Sequence, residues 1–138
     1  MRKATPLKPE TRWPKRRKEE IQRWLDHRAK WFGDLEITGG IHRLFDCIPG
    51  VCFFAKDRDG FQMFANRELL KRYQMHDETE YIGHTDFDLN PGTMAQAYVD
   101  DDARLLSGEA TIIERMELWW DQQGIPDWYF VTKLPLRD

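Results

Sequence analysis

The sequence has little of what marks a secreted protein, a membrane protein or a catalyst. It holds two cysteines in 138 residues, Cys47 and Cys52. That is too few for a disulfide framework, and no second Cys/His pair is spaced to complete a zinc site. Both cysteines read as small buried apolar residues. No apolar run approaches the roughly 20 residues of a membrane-spanning helix. The basic N-terminus has no apolar h-region after it, as a secretory signal would. The expected compartment is therefore the cytoplasm, with no membrane partner. The histidines, His27, His42, His76 and His84, are scattered, and none accompanies a nucleophile in a recognisable order. No phosphate loop, dinucleotide fingerprint or paired-histidine metal motif is present. Catalysis is not expected.

What is present is bulk and charge. Apolar residues make up 41% and aromatics 13% of the chain, enough for an ordinary folded core. The net charge of −3 conceals an asymmetry: residues 1–33 carry +7 and the remainder −10. A basic arm on an acidic body could meet nucleic acid, an acidic partner or its own body. The arm lacks the interleaved aromatics of a single-strand platform and any helix-turn-helix signature, so a solvated arm is the expectation.

Residues 1–15 contain Pro6, Pro9 and Pro14 and little periodic apolar content. They read as an extended or disordered lead-in. Residues 16–36 read as an amphipathic helix. Ile21, Trp24, Leu25, Arg28, Trp31 and Phe32 fall on one stripe, and Gly33 stands where a C-cap is expected. Large apolar side chains cost about 1.5–3 kcal/mol each when left in water. The stripe must therefore pack on the body or on a second copy, and Trp24, Leu25, Trp31 and Phe32 are the candidate dimer contacts. Ile37, Ile41, Leu44, Phe45 and Ile48 mark a second helical stretch, ended by Pro49-Gly50.

Val51 to Asp57 reads as a strand, Arg58-Asp59-Gly60 as a tight turn, and Phe61 to Ala65 as the returning strand of a hairpin. Asn66 suits a helix N-cap before Leu69, Leu70 and Tyr73. Thr85-Asp86-Phe87-Asp88-Leu89 has the short polar residues of turns and helix ends. Asn90-Pro91 looks like an N-cap and first helical position. The next helix carries Met94, Ala95, Tyr98, Val99, Leu105 and Leu106 to Gly108. Asp100-Asp101-Asp102 on it splay around the axis and cannot share one ion, so they read as a solvated face. Thr111 to Trp120 and Asp127 to Leu134 are two further strands. The fold class is α+β, an antiparallel sheet with short helices on one face.

Ile48-Pro49-Gly50, Lys56-Asp57-x-x-Gly60, Ala65-Asn66, Ile82-Gly83-His84-Thr85-Asp86-Phe87-Asp88, Asp101-Asp102 through Gly108, and Lys133-Leu134-Pro135-Leu136-Arg137-Asp138 occur in this order. Over residues 37–138 this resembles a PAS domain, a bacterial sensory and dimerisation module. The nearest likeness is to modules placed ahead of AraC-type regulators or in sensor kinases. The resemblance implies structural roles at turn and cap for Asp57, Asn66 and the Thr85-Asp86-Phe87-Asp88 phrase. It also implies a fifth strand beyond Asp138, so the final strand of the sheet reads as truncated and the output domain as missing from this chain.

The same resemblance implies a pocket between sheet and helices. Phe54, Met63, Phe64, Tyr73, Met94, Tyr98, Met116, Trp128 and Phe130 are its candidate lining, with plain hydrophobic core as the competing reading. Flavin photochemistry is not expected, because neither cysteine lies in an Asn-Cys-Arg-like helical motif. Haem is not expected, because residues 91–107 contain no histidine. The expected function is a sensory and dimerisation module of a larger signalling or transcription regulator. It would form a homodimer, bind a small ligand or a partner, and relay the signal downstream. The alternatives are a stand-alone protein-interaction module with a filled core and a small enzyme on a similar α+β fold.

Overall fold

A computed structural model describes residues 16–34, 44–120 and 124–136. Helix α1 (Lys18–Asp34) comes first, followed after residue 44 by strands β1 (Phe54–Lys56) and β2 (Gln62–Ala65). Helix α2 (Arg67–Tyr73), a 3-10 turn (Glu78–Glu80), the short helix α3 (Asp86–Leu89) and the long helix α4 (Gly92–Leu106) come next. Strands β3 (Ile113–Trp120) and β4 (Pro126–Lys133) close the order. Gly33, expected as a cap, lies inside α1, one residue before its end. Ile37 and Ile41, and the expected start of the second helical stretch, lie outside the described residues.

The local chemistry explains the turns. Asp57 accepts the amides of Asp59 and Phe61 through Oδ1, closing the turn between β1 and β2, where Gly60 takes φ +85°. Asn66 caps α2 by accepting the Leu69 amide. It also accepts the Phe53 amide and donates to the carbonyls of Phe45 and Val51. One fully buried amide thus fixes the entry to β1 and the exit from β2. Thr85 and Asp88 form a reciprocal capping box on α3. Pro91, rather than Asn90, stands at the N-cap of α4.

The strands form two separate antiparallel pairs among the described residues, β1 with β2 and β3 with β4, rather than one sheet. In the first pair Phe54 faces Ala65 and Ala55 faces Phe64, and the register slips by one before Lys56 meets Gln62. In the second an unbroken ladder runs from Ile113 opposite Lys133 to Trp120 opposite Pro126. Side chains join the two pairs. Arg72 of α2 donates to the Cys52 sulfur at 2.9 Å and lies over the Tyr129 ring at 4.2 Å. At the other end, α4 carboxylates hold Lys56 and Lys133. Strands β1 and β4 therefore run in the same direction, from Arg72 toward α4.

The core gathers Ala65, Leu70, Tyr73, Met75, Tyr81 and Leu89, with Phe54, Leu69 and Trp119 packed against it. Trp119 meets Tyr73 edge-on at 5.6 Å. Helix α1 docks on the body beside the first hairpin. The Trp24 ring lies 4.6 Å from that of Phe61 and covers Gly83, whose φ of +80° and missing Cβ make room for it. Arg16 donates to the carbonyls of Thr79 and Ile82, Arg28 pairs with Glu78 at 2.6 Å, and His27 meets Asp57 at 3.1 Å. No described helix is long and apolar enough to cross a membrane.

The cysteines differ from expectation. Cys47 is exposed, and Cys52 is half-buried with its sulfur accepting from Arg72. Burial pushes the Cys52 thiol up, partly offset by Arg72.

Candidate functional site

The space between the two hairpins and the helices is occupied by charge. Lys56, at the end of β1, lies 2.6 Å from Asp86 Oδ2 and 2.6 Å from Asp102 Oδ2. Asp86 opens α3, and Asp102 sits on α4. The neighbouring residue Asp101 reaches the other hairpin: its Oδ2 lies 2.9 Å from Lys133 Nζ and 2.7 Å from Arg115 Nη2. Glu117 completes this half, 2.8 Å from Lys133 and 2.9 Å from Arg115. The Lys133 ammonium also lies 4.6 Å from the Tyr98 ring centroid, a cation–π contact. A buried relay of neutral groups joins from the side, Tyr81 donating to Gln62 at 2.9 Å and Gln62 to Asp86 Oδ1 at 3.3 Å.

Burial governs these groups. It pushes the Asp86 carboxyl up, and the nearby Lys56 ammonium offsets part of that rise. For Lys56, burial alone would favour the neutral amine, but Asp86 and Asp102 outweigh it and lift the pKa above the ordinary range. Tyr81 and Tyr98 are held as neutral phenols, chiefly by desolvation. Removing one partner from such a pair leaves an uncompensated buried charge, which costs far more than the pair contributes.

This corrects the reading of Asp100-Asp101-Asp102 as a solvated face. Asp100 does bond Gln96 at the exposed surface, but Asp101 is 3% exposed, and Asp102 is half-buried in its pair with Lys56. A signal was available in the sequence. Positions 95, 98, 102 and 105, together with 94, 98, 101 and 105, continue the stripe that α4 turns inward, and the two aspartates stand on it. Lys56 and Lys133 each close an apolar strand. They too were legible as inward charges once a partner stripe was sought.

The candidate pocket residues do not converge. Met63, Phe64 and Tyr73 are buried, Phe54 packs on the core, and Met94 and Tyr98 lie half-buried on α4. Met116, Trp128 and Phe130 lie on the opposite side of the second hairpin from Trp119, Tyr129 and Lys133, 54%, 61% and 66% exposed. A surface cavity of about 290 Å³ lies elsewhere, between Asp46, Arg67, Leu70, His76, Asp77 and Glu78, and of the expected residues Phe64 borders it. Among the candidate dimer contacts, Trp24 is engaged with its own Phe61 and Gly83, Leu25 and Trp31 are half-buried, and the Phe32 side chain lies outside the described residues. His84 is buried and lies 3.8 Å from Asp88.

The family model described as the PAS fold matches residues 45–138, more than half of the chain. The chain belongs to the PAS family. The matched span holds both hairpins, α2 to α4 and every residue of the charged network. No curated protein and no solved structure matches the chain. The family makes this a sensory or interaction module, and its mixed helix and strand architecture agrees with that membership.

Proposed function

We propose that this module, without enzyme activity, receives a small ligand or a protein partner and relays its presence to an output domain of a larger signalling or transcription regulator. The supporting observation is the pair of consecutive carboxylates on α4, one fastened to each hairpin. Two strand pairs that share no backbone hydrogen bonds among the described residues can shift relative to one another, and a helix tied to both converts that shift into its own movement. A regulator of this kind acts as a homodimer in the cytoplasm.

The side chains enclosed between the described elements favour a second reading, an interaction module that takes no small ligand. Among the described residues Tyr81, Met63, Ile82, Gln62 and Asn66 are the largest fully enclosed side chains, and ion pairs lie beside them.

Native mass spectrometry and an absorbance scan of freshly purified protein separate the two. Sensing by a resident ligand predicts a bound mass or a chromophore that disappears on unfolding. A bare polypeptide mass, with no thermal shift across a metabolite panel, would sink the ligand branch and leave the partner branch.

A further inference from the structure

We propose that the surface cavity between the start of α2 and the 3-10 turn binds a small zwitterion, an α-amino acid with an apolar side chain. The proposal rests on the ligand branch of the reading above, and gives that branch a site and a chemical class. The cavity lies outside the charged network between the hairpins. At about 290 Å³ it stands at the lower end for ligand sites, about 300–1,000 Å³. Its size suits a ligand of few heavy atoms.

Its floor is apolar, made of Phe64 and Ala65 from β2 and Leu70 from α2, all buried. Its rim sets the guanidinium of Arg67 among the carboxylates of Asp46, Asp77 and Glu78. These groups are not equally available. Glu78 is committed to the fold, taking Arg28 of α1 at 2.6 Å on Oε2 and the Ala65 amide at 3.4 Å on Oε1. Asp46 accepts the Arg67 amide at 2.8 Å, and its other oxygen stands 3.8 Å from Arg67 Nε. It faces the guanidinium without closing a hydrogen bond. The Arg67 side chain stays 78% exposed, and its forked N–H donors match a carboxylate. Asp77 accepts the Thr79 amide and hydroxyl on Oδ1. The Thr79 hydroxyl above all holds the Asp77 carboxyl below its ordinary value. Asp77 therefore stands as an anion, and a carboxylate offers about four acceptor sites, more than Thr79 uses.

The mixture of charges selects the ligand. A simple anion would meet Arg67 and be repelled by the carboxylates around it. Among the described residues no three His, Cys, Asp or Glu side chains are placed to hold one metal ion. An α-amino acid carries a carboxylate for Arg67 and an ammonium for Asp77 on a single carbon, and its apolar side chain goes to the floor. Glu78 follows Asp77 in the chain and ties α1 to the body through Arg28. An occupied cavity thus abuts the contact that docks this helix.

Isothermal titration calorimetry of the dialysed full chain tests the proposal, with L-alanine, L-valine and L-leucine, each beside its deaminated and its decarboxylated analogue. Saturable binding of at least one amino acid is expected, with both of its analogues weaker by about tenfold or more. Arg67→Met and, separately, Asp77→Asn are expected to raise the dissociation constant by about tenfold or more, with an unchanged far-UV circular dichroism spectrum. Asparagine keeps the cap on the 3-10 turn, and Arg67 is too exposed for its loss to unfold the chain. An amine that binds as tightly as its parent amino acid overturns the proposal, since Arg67 then takes no carboxylate. Binding undiminished by either substitution overturns it as well. So does the absence of binding, and native mass spectrometry then separates two cases. A bound mass on the fresh protein leaves the ligand branch standing at another site, whereas a bare polypeptide removes that branch too.

Discussion

The two hairpins are built alike and buried differently. In β2 all four residues, Gln62 to Ala65, are buried. In β4 only Lys133 is. Both hairpins are rich in large apolar side chains, so composition does not account for the difference; cover does. The first hairpin is wrapped from several directions: Phe53 tilts against Phe64 at 5.3 Å, Trp24 of α1 covers Phe61, and Tyr81 bonds Gln62. The second is covered on one side alone, where its contacts combine ions with aromatic rings. One hairpin is therefore a core element. The other offers a face.

The largest expected break in this contrast comes from the charges that join the two pairs. Lys56→Met keeps the stem and strips Asp86 and Asp102 of their cation. A loss of about 3–5 kcal/mol is expected from urea unfolding, the usual consequence of leaving a buried carboxylate unpaired. A change below about 1 kcal/mol would mean that solvent reaches the network. The contrast itself is measured by one substitution made twice. Met63, with no exposure, and Met116, at 54%, sit one in each hairpin. Met63→Ala is expected to cost about 2–5 kcal/mol, whereas Met116→Ala in the monomer should stay within about 0.5 kcal/mol. Equal losses would show that the outer face of β3 is covered in solution.

The smallest effect is a pH dependence on the first hairpin's side. Burial, and then the Arg16 guanidinium, hold His84 below its ordinary 6.5, while Asp88 and Glu20 pull the other way. In acid the unfolded chain takes up this proton more readily than the folded one. The His84 contribution is thus complete above 6.5 and lost as the pH falls through that value toward the lowered one. Unfolding midpoints at about pH 7.5 and about pH 5.5 should differ more for the wild type than for His84→Gln, by less than about 1.4 kcal/mol per pH unit. The raised Asp86 carboxyl acts with the opposite sign in more acidic solution, and the comparison between variants cancels it. An identical slope in both proteins would remove His84 from the account.

The parts legible in the sequence were those whose chemistry is local. Asp57, Asn66 and the Thr85/Asp88 box bond to backbone amides a few residues away, in the turn and cap roles that the resemblance to the PAS family implied and that their short polar side chains suit. Among the described residues the strands also fell near where the sequence placed them, with β1 and β3 shorter than the expected Val51 to Asp57 and Thr111 to Trp120, and β4 shifted by one residue. What spacing could not give was cover. Strands apolar on both faces carry no sign of which face will find a neighbour, so Met116, Trp128 and Phe130 read as pocket lining although they point away from the helices. The network was hidden for a related reason. Aspartate and lysine are rarely buried, which favours reading them as solvated. The correction for Asp101 and Asp102 required partners separated from them by 32 and 46 positions in the chain.

Consecutive residues on a helix point about 100° apart, at 3.6 residues per turn. That angle, which prevents Asp101 and Asp102 from sharing one ion, sends them to different hairpins. The helix is thereby locked in phase as well as in place. One residue inserted in α4 ahead of the pair would turn both carboxylates off their lysines together, whereas four would bring them nearly back into step. The length of α4 upstream of Asp101 is thus set by rotation, in whole turns, more strictly than by distance.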